Sequence, residues 1–334
     1  MKVVEILNFG IENLSIAEKE IPTPKRSEVL VKIHAISLNY RDYLTIEGKY
    51  NPNYKLPLVP CSDSAGEIVA IGEDVSKWKI GDRVMGVFAP DWISGTTNIQ
   101  AIRNTLGGPN HGTLQEYRVF SENGIVRLPS NLNYIEGSTL PCAALTAWSA
   151  LNEFGSTQAG DIIVTQGSGG VSIFAIQLSK LFGAKVLAIS GSEEKEEKLK
   201  QLGVSIVINY KKNPKWGKEI KNTTGGVDHV IDVGGSETLE ESIKSLKPFG
   251  QISLIGILGG STANINLLPI LMQNIKIQGI LVGSKNAFES MSKAIEINNL
   301  KPVINHVFGF TEYKEAIKSL KSGSQFGKIC INMD

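Results

Sequence analysis

Between residues 161 and 282 the sequence alternates between short, β-branched apolar runs and amphipathic helical segments. Helical spacing of apolar residues is clearest from Val171 to Phe182, where Gly183 ends the pattern as expected for a helix C-terminus. The apolar runs predict six strands, Asp161–Thr165, Lys185–Ile189, Ile206–Ile208, His229–Val233, Ile252–Ile257 and Ile275–Val282. Strands joined by helices pair in parallel through right-handed crossovers. The alternation therefore predicts an α/β fold with a doubly wound parallel sheet.

The flanking segments have a different pattern. Residues 1–129 are predicted to be mostly β, with strands such as Val29–Ile33 and Ala65–Ile71 and a long loop at Asp91–Gly112. After a helix at Ala287–Asn298, the chain ends in an extended run at Gly327–Met333. Since six strands complete a doubly wound sheet, we expect this end to return to the first domain. The predicted domains are 1–129 with 284–334, and 130–283.

A glycine-rich segment follows the first predicted strand of the second domain and opens its first helix. Gly167 would allow a tight turn, Gly169 would let the backbone approach a pyrophosphate, and the helix N-terminus would offer free N–H groups. A turn that binds no ligand is the alternative, but the strand–helix context favours a dinucleotide site. Its predicted contacts are Gly167, Ser168, Gly169, Gly170 and Val171, with Ser172 in place of the usual third glycine.

The end of the second predicted strand bears on which dinucleotide binds. An NAD site usually has an acid there for the ribose hydroxyls, whereas this chain has Ser190 and Ser192, followed by Lys195 and, one strand later, Tyr210. Hydroxyls and a cation fit the 2′-phosphate of NADP(H). The alternative is that Ser192 caps a helix and Lys195 is solvated. Other strand-end candidates for the cofactor are Gly256, Gly283 and Ser284, with Thr146 and Lys328 as weaker ones.

Composition excludes several classes of protein. The 334 residues carry a net charge of +1, which argues against a nucleic-acid partner. No apolar stretch approaches the roughly 18 residues of a membrane span, and the N-terminus lacks the apolar block of a signal peptide. Three cysteines make no disulfide framework, which favours a reducing compartment. We therefore expect a cytoplasmic enzyme.

The chain resembles the medium-chain dehydrogenase/reductase superfamily along nearly its whole length. The resemblance implies a GroES-like catalytic domain, split in sequence around a Rossmann domain, an active site in the cleft between them, and assembly as a homodimer or homotetramer. Lys195 and Tyr210 are similar to a Lys and a Tyr of its NADP-dependent quinone oxidoreductases. Besides the glycine loop, the segments that carry the match are 79–84, 140–148, 207–210, 232–235 and 327–329.

Some members of the superfamily contain a catalytic zinc ion and others contain none. In its zinc alcohol dehydrogenases the three catalytic ligands stand where this chain has Asn39, Ser62 and Cys142. One soft ligand of three cannot hold Zn²⁺, and no four cysteines form a structural zinc lobe between residues 86 and 112. The resemblance therefore implies a metal-free protein, with Cys61, Cys142 and Cys330 as small buried residues.

Without zinc, oxidation of an alcohol lacks a Lewis acid, whereas reduction of an electrophilic acceptor remains feasible. The resemblance implies that NADPH transfers hydride to a quinone or an activated carbonyl or enone. Two alternatives are an alcohol dehydrogenase-like aldehyde/alcohol oxidoreductase and a non-catalytic NADPH-binding sensor or structural protein.

The resemblance also suggests catalytic residues. It places Asn39 and Tyr50 at the cleft, with Tyr40 and Asp42 close in sequence, and Asn39 or Tyr50 would hydrogen-bond the acceptor oxygen. Core packing of Tyr40 and a turn or ion pair at Asp42 are the alternatives. Trp92 either lines the substrate pocket or sits at a loop tip. None of the four histidines has a partner that marks a general base.

Overall fold

The structure is a computed structural model that describes all residues from 1 to 334. The chain forms two compact units, the first Met1–Leu145 with Val282–Asp334 and the second Thr146–Leu281. The strands are β1 Lys2–Ile6, β2 Leu14–Glu18, β3 Glu28–Ser37, β4 Asp63–Ile71, β5 Arg83–Gly86, β6 Tyr117–Ser121, β7 Ile125–Arg127, β8 Ile162–Gln166, β9 Lys185–Ser190, β10 Ile206–Asn209, β11 Val227–Asp232, β12 Leu246–Leu254, β13 Lys276–Gly279, β14 Ile304–Gly309 and β15 Lys328–Asn332. The helices are α1 Tyr40–Ile46, α2 Ile99–Arg103, α3 Tyr134–Ser138, α4 Leu145–Trp148, α5 Gly170–Leu181, α6 Glu193–Gln201, α7 Trp216–Thr224, α8 Leu239–Ser245, α9 Leu268–Met272, α10 Lys285–Ile297 and α11 Tyr313–Ser322.

The second unit is built on one six-stranded sheet in the order β10-β9-β8-β11-β12-β13, with every pairing parallel. This confirms the predicted doubly wound sheet. Because the strands are parallel, their carboxyl ends share one edge, where ligands of such sheets bind. That edge carries the glycine loop after β8, the turn after β9 and the loop after β11.

One helix of this unit has no counterpart in the sequence prediction. α7 lies between β10 and β11 and buries Trp216, Gly217 and Ile220, while most of its other side chains are charged or polar. So few apolar anchors give a weak periodic signal. The helix ends at Gly225, whose φ of 79° suits glycine.

The first unit is mostly β. Its larger sheet has the order β14-β15-β3-β4-β5-β7, with β6 also paired to β3, and β1 and β2 form a separate antiparallel pair. β15, near the C-terminus, lies antiparallel to β3 with Cys330 opposite Ser37, and β4 lies on the other side with Asp63 opposite Ser37. Three distant parts of the sequence therefore meet where β3 ends.

The boundary between the units differs from the predicted one at residue 130. Residues 130–145 belong to the first unit because they pack on its sheet. The Tyr134 ring stacks on His34 with centroids 4.5 Å apart, and a Cβ on Gly137 would lie 3.6 Å from that of Ala65. The predicted boundary at residue 130 therefore precedes the observed one, which lies between Leu145 and Thr146.

The predicted loop at 91–112 contains the short helix α2, capped by Asn98, whose side chain accepts from the Ala101 N–H at 2.9 Å. Trp92 is buried in this segment, with its Nε1 donating to the Gly95 carbonyl at 2.8 Å, which rules out an exposed loop tip.

None of the helices combines the length and apolar content that crossing a membrane requires.

Candidate active site

The glycine loop of the second unit leaves space for a ligand. Gly167 has a φ of 74°, a backbone conformation that favours glycine, and a Cβ at Gly167 or Gly169 would meet no atom of the chain within 4 Å. Ser172, at the third position of the motif, is buried and donates from Oγ to the Gln166 carbonyl at 2.6 Å. The loop thus encloses open space at the N-terminus of α5, as binding of a pyrophosphate requires.

A buried network fixes the neighbouring loop after β11. Gln166 Nε2 donates to Asp232 Oδ2 at 3.0 Å and to Ser242 Oγ at 2.9 Å. Asp232 Oδ1 accepts from the Gly235 N–H at 3.0 Å and from Thr238 Oγ1 at 2.8 Å. The polar groups of Gln166 and Asp232 are thereby satisfied, which holds this edge of the sheet in one conformation.

The turn after β9 is compact. Ser190 Oγ is 3.3 Å from both the N–H and the carbonyl of Ser192, and the Tyr210 ring lies so close to Gly191 that a Cβ there would be 2.7 Å from its hydroxyl. Lys195 is in the first turn of α6, and burial lowers the pKa of its ammonium group. The serines, Lys195 and Tyr210 are thus brought to one corner of the sheet edge.

The acids next to this corner are paired with lysines. Glu193 forms an ion pair with Lys212, and Glu194 forms one with Lys198 at 3.1 Å. The side chains that the chain brings to this corner are thus hydroxyls and the Lys195 ammonium, and no carboxylate belongs to the β9 end itself.

In the first unit, the strand register brings Lys328 to Asn39. The buried Lys328 Nζ donates to the Leu38 carbonyl and to Asn39 Oδ1, both at 2.6 Å. An ammonium group has no acceptor, so this contact requires the amide oxygen of Asn39 to face Lys328 and its Nδ2 to face away. Nδ2 is buried and has no hydrogen-bond acceptor in the structure. It is a donor whose orientation is fixed by Lys328, and it lies towards the Asp63 carboxyl without a hydrogen bond of full geometry.

Asp63 lies at the start of β4 beside the same groups. It is fully buried, and it accepts from Ser62 Oγ at 2.7 Å and from the Cys142 N–H at 3.1 Å. Burial raises the pKa of its carboxyl, and the charge of Lys328 and the Asn39 amide oppose that shift. Asn39 Nδ2 acts on this carboxyl as a weak hydrogen-bond donor, since it is close to Asp63 but outside the geometry of a full hydrogen bond. Lys328 and Asp63 thus stabilise each other as buried charges.

Asp42 is the second buried carboxylate of this cluster. Its Oδ2 accepts from the Asn39 N–H at 2.8 Å and caps α1, while Oδ1 is 3.7 Å from the Arg41 guanidinium and has no hydrogen bond. Burial raises the pKa of Asp42 to about 6, further raised by Asp63 and opposed by Arg41. Asp42 therefore has both roles that were alternatives to a catalytic one, a cap in the turn before α1 and an ion pair with Arg41.

Arg41 connects the cluster to Tyr50. Its guanidinium donates to the carbonyls of Leu106 and Gly108 at 2.8 and 3.1 Å and lies 5.1 Å from the centroid of the Tyr50 ring. Tyr50 is 44% exposed. Arg41 thus holds the Tyr50 ring beside the cluster through a cation–π contact.

Other predicted residues lie elsewhere. Tyr40 is exposed and packs on Tyr43 with centroids 5.6 Å apart, and Trp92 is buried in the first unit. Thr146 is buried at the start of the second unit, and Gly256 follows the end of β12.

The prediction that Gly283 and Ser284 end the sixth strand is wrong. β13 ends at Gly279, and Ser284 caps α10 in the first unit by accepting from the Ala287 N–H at 3.2 Å. The N–H of Lys285 bonds to the Trp92 carbonyl at 2.9 Å, which connects the start of α10 to the 91–112 segment of the first unit. Whether either residue contacts a cofactor stays a prediction.

The three positions where zinc ligands would stand have other roles here. Asn39 is bonded to Lys328, Ser62 to Asp63, and the Cys142 thiol has a pKa raised chiefly by burial and then by Asp63. Cys61 and Cys330 are buried thiols with raised pKa values, as predicted, whereas Cys142 is only partly buried. No group of three or more His, Cys, Asp or Glu side chains is placed to hold a metal ion.

Sequence reasoning overlooked Arg41 and Asp63 as members of the site. A signal existed for both, since Arg41 lies between two candidates in the Asn39–Asp42 segment and Asp63 follows Ser62 directly. Their partners come from β15, the loop at 105–108 and residue 142, which the sequence alone does not place next to them.

Together the two units define a class of protein, the two-domain oxidoreductases that use a nicotinamide cofactor. Residues 25–130 match the family described as alcohol dehydrogenase GroES-like domain, and residues 170–297 match the family described as zinc-binding dehydrogenase. A zinc-type alcohol dehydrogenase-like protein of Schizosaccharomyces pombe is 41% identical, over 97% of this chain and 96% of its own. The chain belongs to the medium-chain dehydrogenase/reductase superfamily.

Two further proteins are similar over their full length. The human quinone oxidoreductase is 29% identical, over 97% of this chain and 95% of its own. The crystal structure of a putative alcohol dehydrogenase from Sinorhizobium meliloti 1021 superposes with a TM-score of 0.94 at 37% identity, over 99% of this chain and 98% of that one. The chain is therefore an oxidoreductase of this superfamily, which uses nicotinamide cofactors.

Proposed function

We propose that this protein is a zinc-independent, NADPH-dependent oxidoreductase that transfers hydride to a quinone or to an activated carbonyl or enone, and that it acts in the cytoplasm. The observation that carries the proposal is the buried Nδ2 of Asn39, a donor without an acceptor. NADPH, when bound, supplies the hydride, and solvent supplies the proton that completes a hydroquinone or a saturated ketone. Asn39 donates to the acceptor oxygen, where negative charge develops.

Zinc independence is supported by the donor set. A catalytic zinc site needs three side chains with lone pairs directed at one point. Here the oxygen of Asn39 is committed to Lys328, Ser62 donates to Asp63, and Cys142 is the one soft ligand of the three. These residues do not fit a bound zinc ion.

Two assays on the purified protein test this function. NADPH consumption is followed by absorbance with a quinone, an enone and an aldehyde, and metal content is measured on the same preparation. Turnover with the quinone or the enone is expected. Turnover of the aldehyde alone, or stoichiometric zinc, would favour the alcohol dehydrogenase-like alternative. Tight NADPH binding without turnover of any acceptor would favour a sensor or structural role.

Lys195→Ala is expected to raise the Kd for NADPH by roughly tenfold to a hundredfold, the range for loss of one charge-assisted hydrogen bond to a phosphate. The Kd for NADH should change much less, because NADH lacks the 2′-phosphate. Fluorescence titration with both cofactors measures the difference. Lys200→Ala is the matched control, since Lys200 is on the same helix but pairs with Glu196 at 3.0 Å. Equal weakening of both cofactors would contradict the phosphate assignment.

We propose that a second copy of the chain covers the free edge of the second unit's sheet. β13 is the last strand in the order and so leaves one row of backbone groups unpaired. The helix before it exposes Leu268, Leu271 and Met272 by 60–73%. An exposed strand edge next to an apolar helix fits a symmetric pairing of identical chains. We therefore expect a homodimer, or a homotetramer built from it.

Leu271→Asp is expected to shift this assembly towards monomer, because it places a charge in the apolar surface. Sedimentation velocity of the wild type and the variant measures the shift. Ile297→Asp is the control, since Ile297 is 83% exposed on α10 of the first unit. A wild type that sediments as a monomer, or a variant that associates as strongly as the wild type, would refute the pairing.

A further inference from the structure

A surface cavity of about 270 Å³ lies in the first unit and shares no residue with the cluster around Asn39. It is formed by β1, the segment after β2, the loop before β4 and the start of β6. Its lining residues are Val3, Lys19, Pro22, Val59, His111, Gln115, Tyr117, Arg118 and Val119. Apolar and cationic side chains line it together, and it contains no carboxylate.

Arg118 is the unusual member of this lining. One amino group of its guanidinium donates to the Gly112 carbonyl at 3.0 Å, and its flat face lies 5.1 Å from the centroid of the Phe120 ring. Nε is buried and has no acceptor. No carboxylate forms an ion pair with this arginine, unlike Arg26, Arg41 and Arg127. Arg118 is half-buried, and a cation that is partly removed from water without a counter-ion is costly, so such groups are normally paired.

The surroundings add further positive character. Lys19 is bonded to Glu5 at 2.6 Å, so its charge is partly neutralised. His111 Nδ1 accepts from the Val59 N–H at 3.2 Å, which places the ring proton on Nε2 and makes that atom a donor. Burial lowers the pKa of His111, and the charges of Arg118 and Lys19 lower it further, against the opposing effect of Glu5. Positive charge therefore dominates at this imidazole.

The charge state of Arg118 also fits a binding role. Burial lowers the pKa of its guanidinium to about 10, so it remains protonated at neutral pH. A guanidinium presents its N–H groups as a planar fork, which matches the oxygens of a carboxylate or a phosphate. Nη1 is committed to the Gly112 carbonyl and Nε is buried, so Nη2 is the amino group that remains available to a ligand in the cavity.

We propose that this cavity binds a small organic anion, whose carboxylate or phosphate group pairs with Arg118 and whose apolar part contacts Val3, Val59 and Val119. The site is separate from the hydride-transfer site proposed above and does not depend on that function. The carboxylate and phosphate ligands have the same chemistry, an oxyanion attached to a short apolar group.

Titration calorimetry on the full chain tests the site with three probes. Butyrate carries a carboxylate on a short apolar chain, inorganic phosphate tests the phosphate alone, and butyramide is the uncharged counterpart of butyrate. We expect saturable binding of butyrate, phosphate or both, and none of butyramide. The stronger of the two anions identifies the group that the site prefers.

Variants assign the binding to Arg118. Arg118→Met should weaken anion binding at least about tenfold, the effect of losing a charge-assisted pair. Lys19→Met should weaken it less, because Glu5 already neutralises part of that charge. Arg26→Met is the control and should bind as the wild type, since Arg26 is exposed and paired with Asp74 at 2.9 Å.

A second measurement on the wild type guards against misfolding of Arg118→Met. If phosphate binds, crystals soaked in selenate, a tetrahedral oxyanion of similar shape with an anomalous signal, should give a difference peak within hydrogen-bond distance of the Arg118 guanidinium; if butyrate alone binds, crystals soaked in 4-bromobutyrate should give the bromine peak in this cavity. The proposal is overturned if neither anion binds saturably, if butyramide binds as tightly as butyrate, if folded Arg118→Met binds as the wild type, or if the soaked analogue of the anion that binds gives no peak at this site.

Discussion

Replacing Asn39 with leucine is expected to lower kcat for acceptor reduction by about 100-fold, the cost of removing one preorganised donor to a developing oxyanion. Leucine has nearly the same shape as asparagine but no N–H group. The Kd for NADPH should stay unchanged, because Asn39 is in the first unit and the glycine loop is in the second. Steady-state kinetics at saturating NADPH, together with a cofactor titration, separates the two quantities.

The control for this experiment is Asn123→Leu, since Asn123 is exposed and bonds Lys77 at 3.2 Å. Lys328→Arg tests separately whether Lys328 orients the Asn39 amide. Arginine keeps a buried positive charge but alters the contact with Asn39 Oδ1. We expect an intermediate loss of kcat and little change in the Kd for NADPH. An Asn39→Leu enzyme with the kcat of the wild type would remove Asn39 from the reaction.

The second unit could be read from sequence because its signals are local. Each strand is a short apolar run, each crossover is a helix, and the glycine loop lies between consecutive elements of one strand–helix unit. The exceptions were α7, which has few apolar anchors, and the last strand, which ends at Gly279 and not at residue 282. Local patterns thus predicted the parallel sheet but not the points where the chain leaves it.

The site in the first unit was harder to predict because its partners are far apart in sequence. Asn39 was identified by resemblance, but its contact with Lys328 depends on the antiparallel register of β3 and β15. The cofactor contact predicted for Lys328 stays a prediction, and the bonds of its ammonium group to Leu38 and Asn39 were not foreseen. The buried charges of Asp42 and Asp63 likewise become evident only when burial is known.

Asp42 has a large expected effect on stability. The pKa of its carboxyl is about 6 in the folded protein against an ordinary 3.8, chiefly because of burial. Between about pH 4 and pH 6 the folded state therefore holds a proton that the unfolded chain has released, so the contribution of Asp42 to the free energy of unfolding falls as the pH rises through this window. Above about pH 6 both states are ionised and the contribution is constant.

Asp42→Asn should remove this dependence, because an amide stays neutral and its oxygen can still accept from the Asn39 N–H. The free energy of unfolding of the variant, minus that of the wild type, is expected to increase by at most about 3 kcal/mol between pH 4 and pH 7. Urea unfolding at a series of pH values measures both curves.

Asp82→Asn provides the contrast within the same chain. Burial opposes ionisation of Asp82, but Arg127 and the Lys79 N–H outweigh it and hold the pKa of that carboxyl below its ordinary value. Its pH-dependent contribution therefore lies below about pH 4, and the difference curve of Asp82→Asn should be flat where that of Asp42→Asn rises. If the Asp42→Asn curve is also flat from pH 4 to pH 7, Asp42 is ionised throughout that range, and the Arg41 guanidinium stabilises its carboxylate more strongly than burial destabilises it.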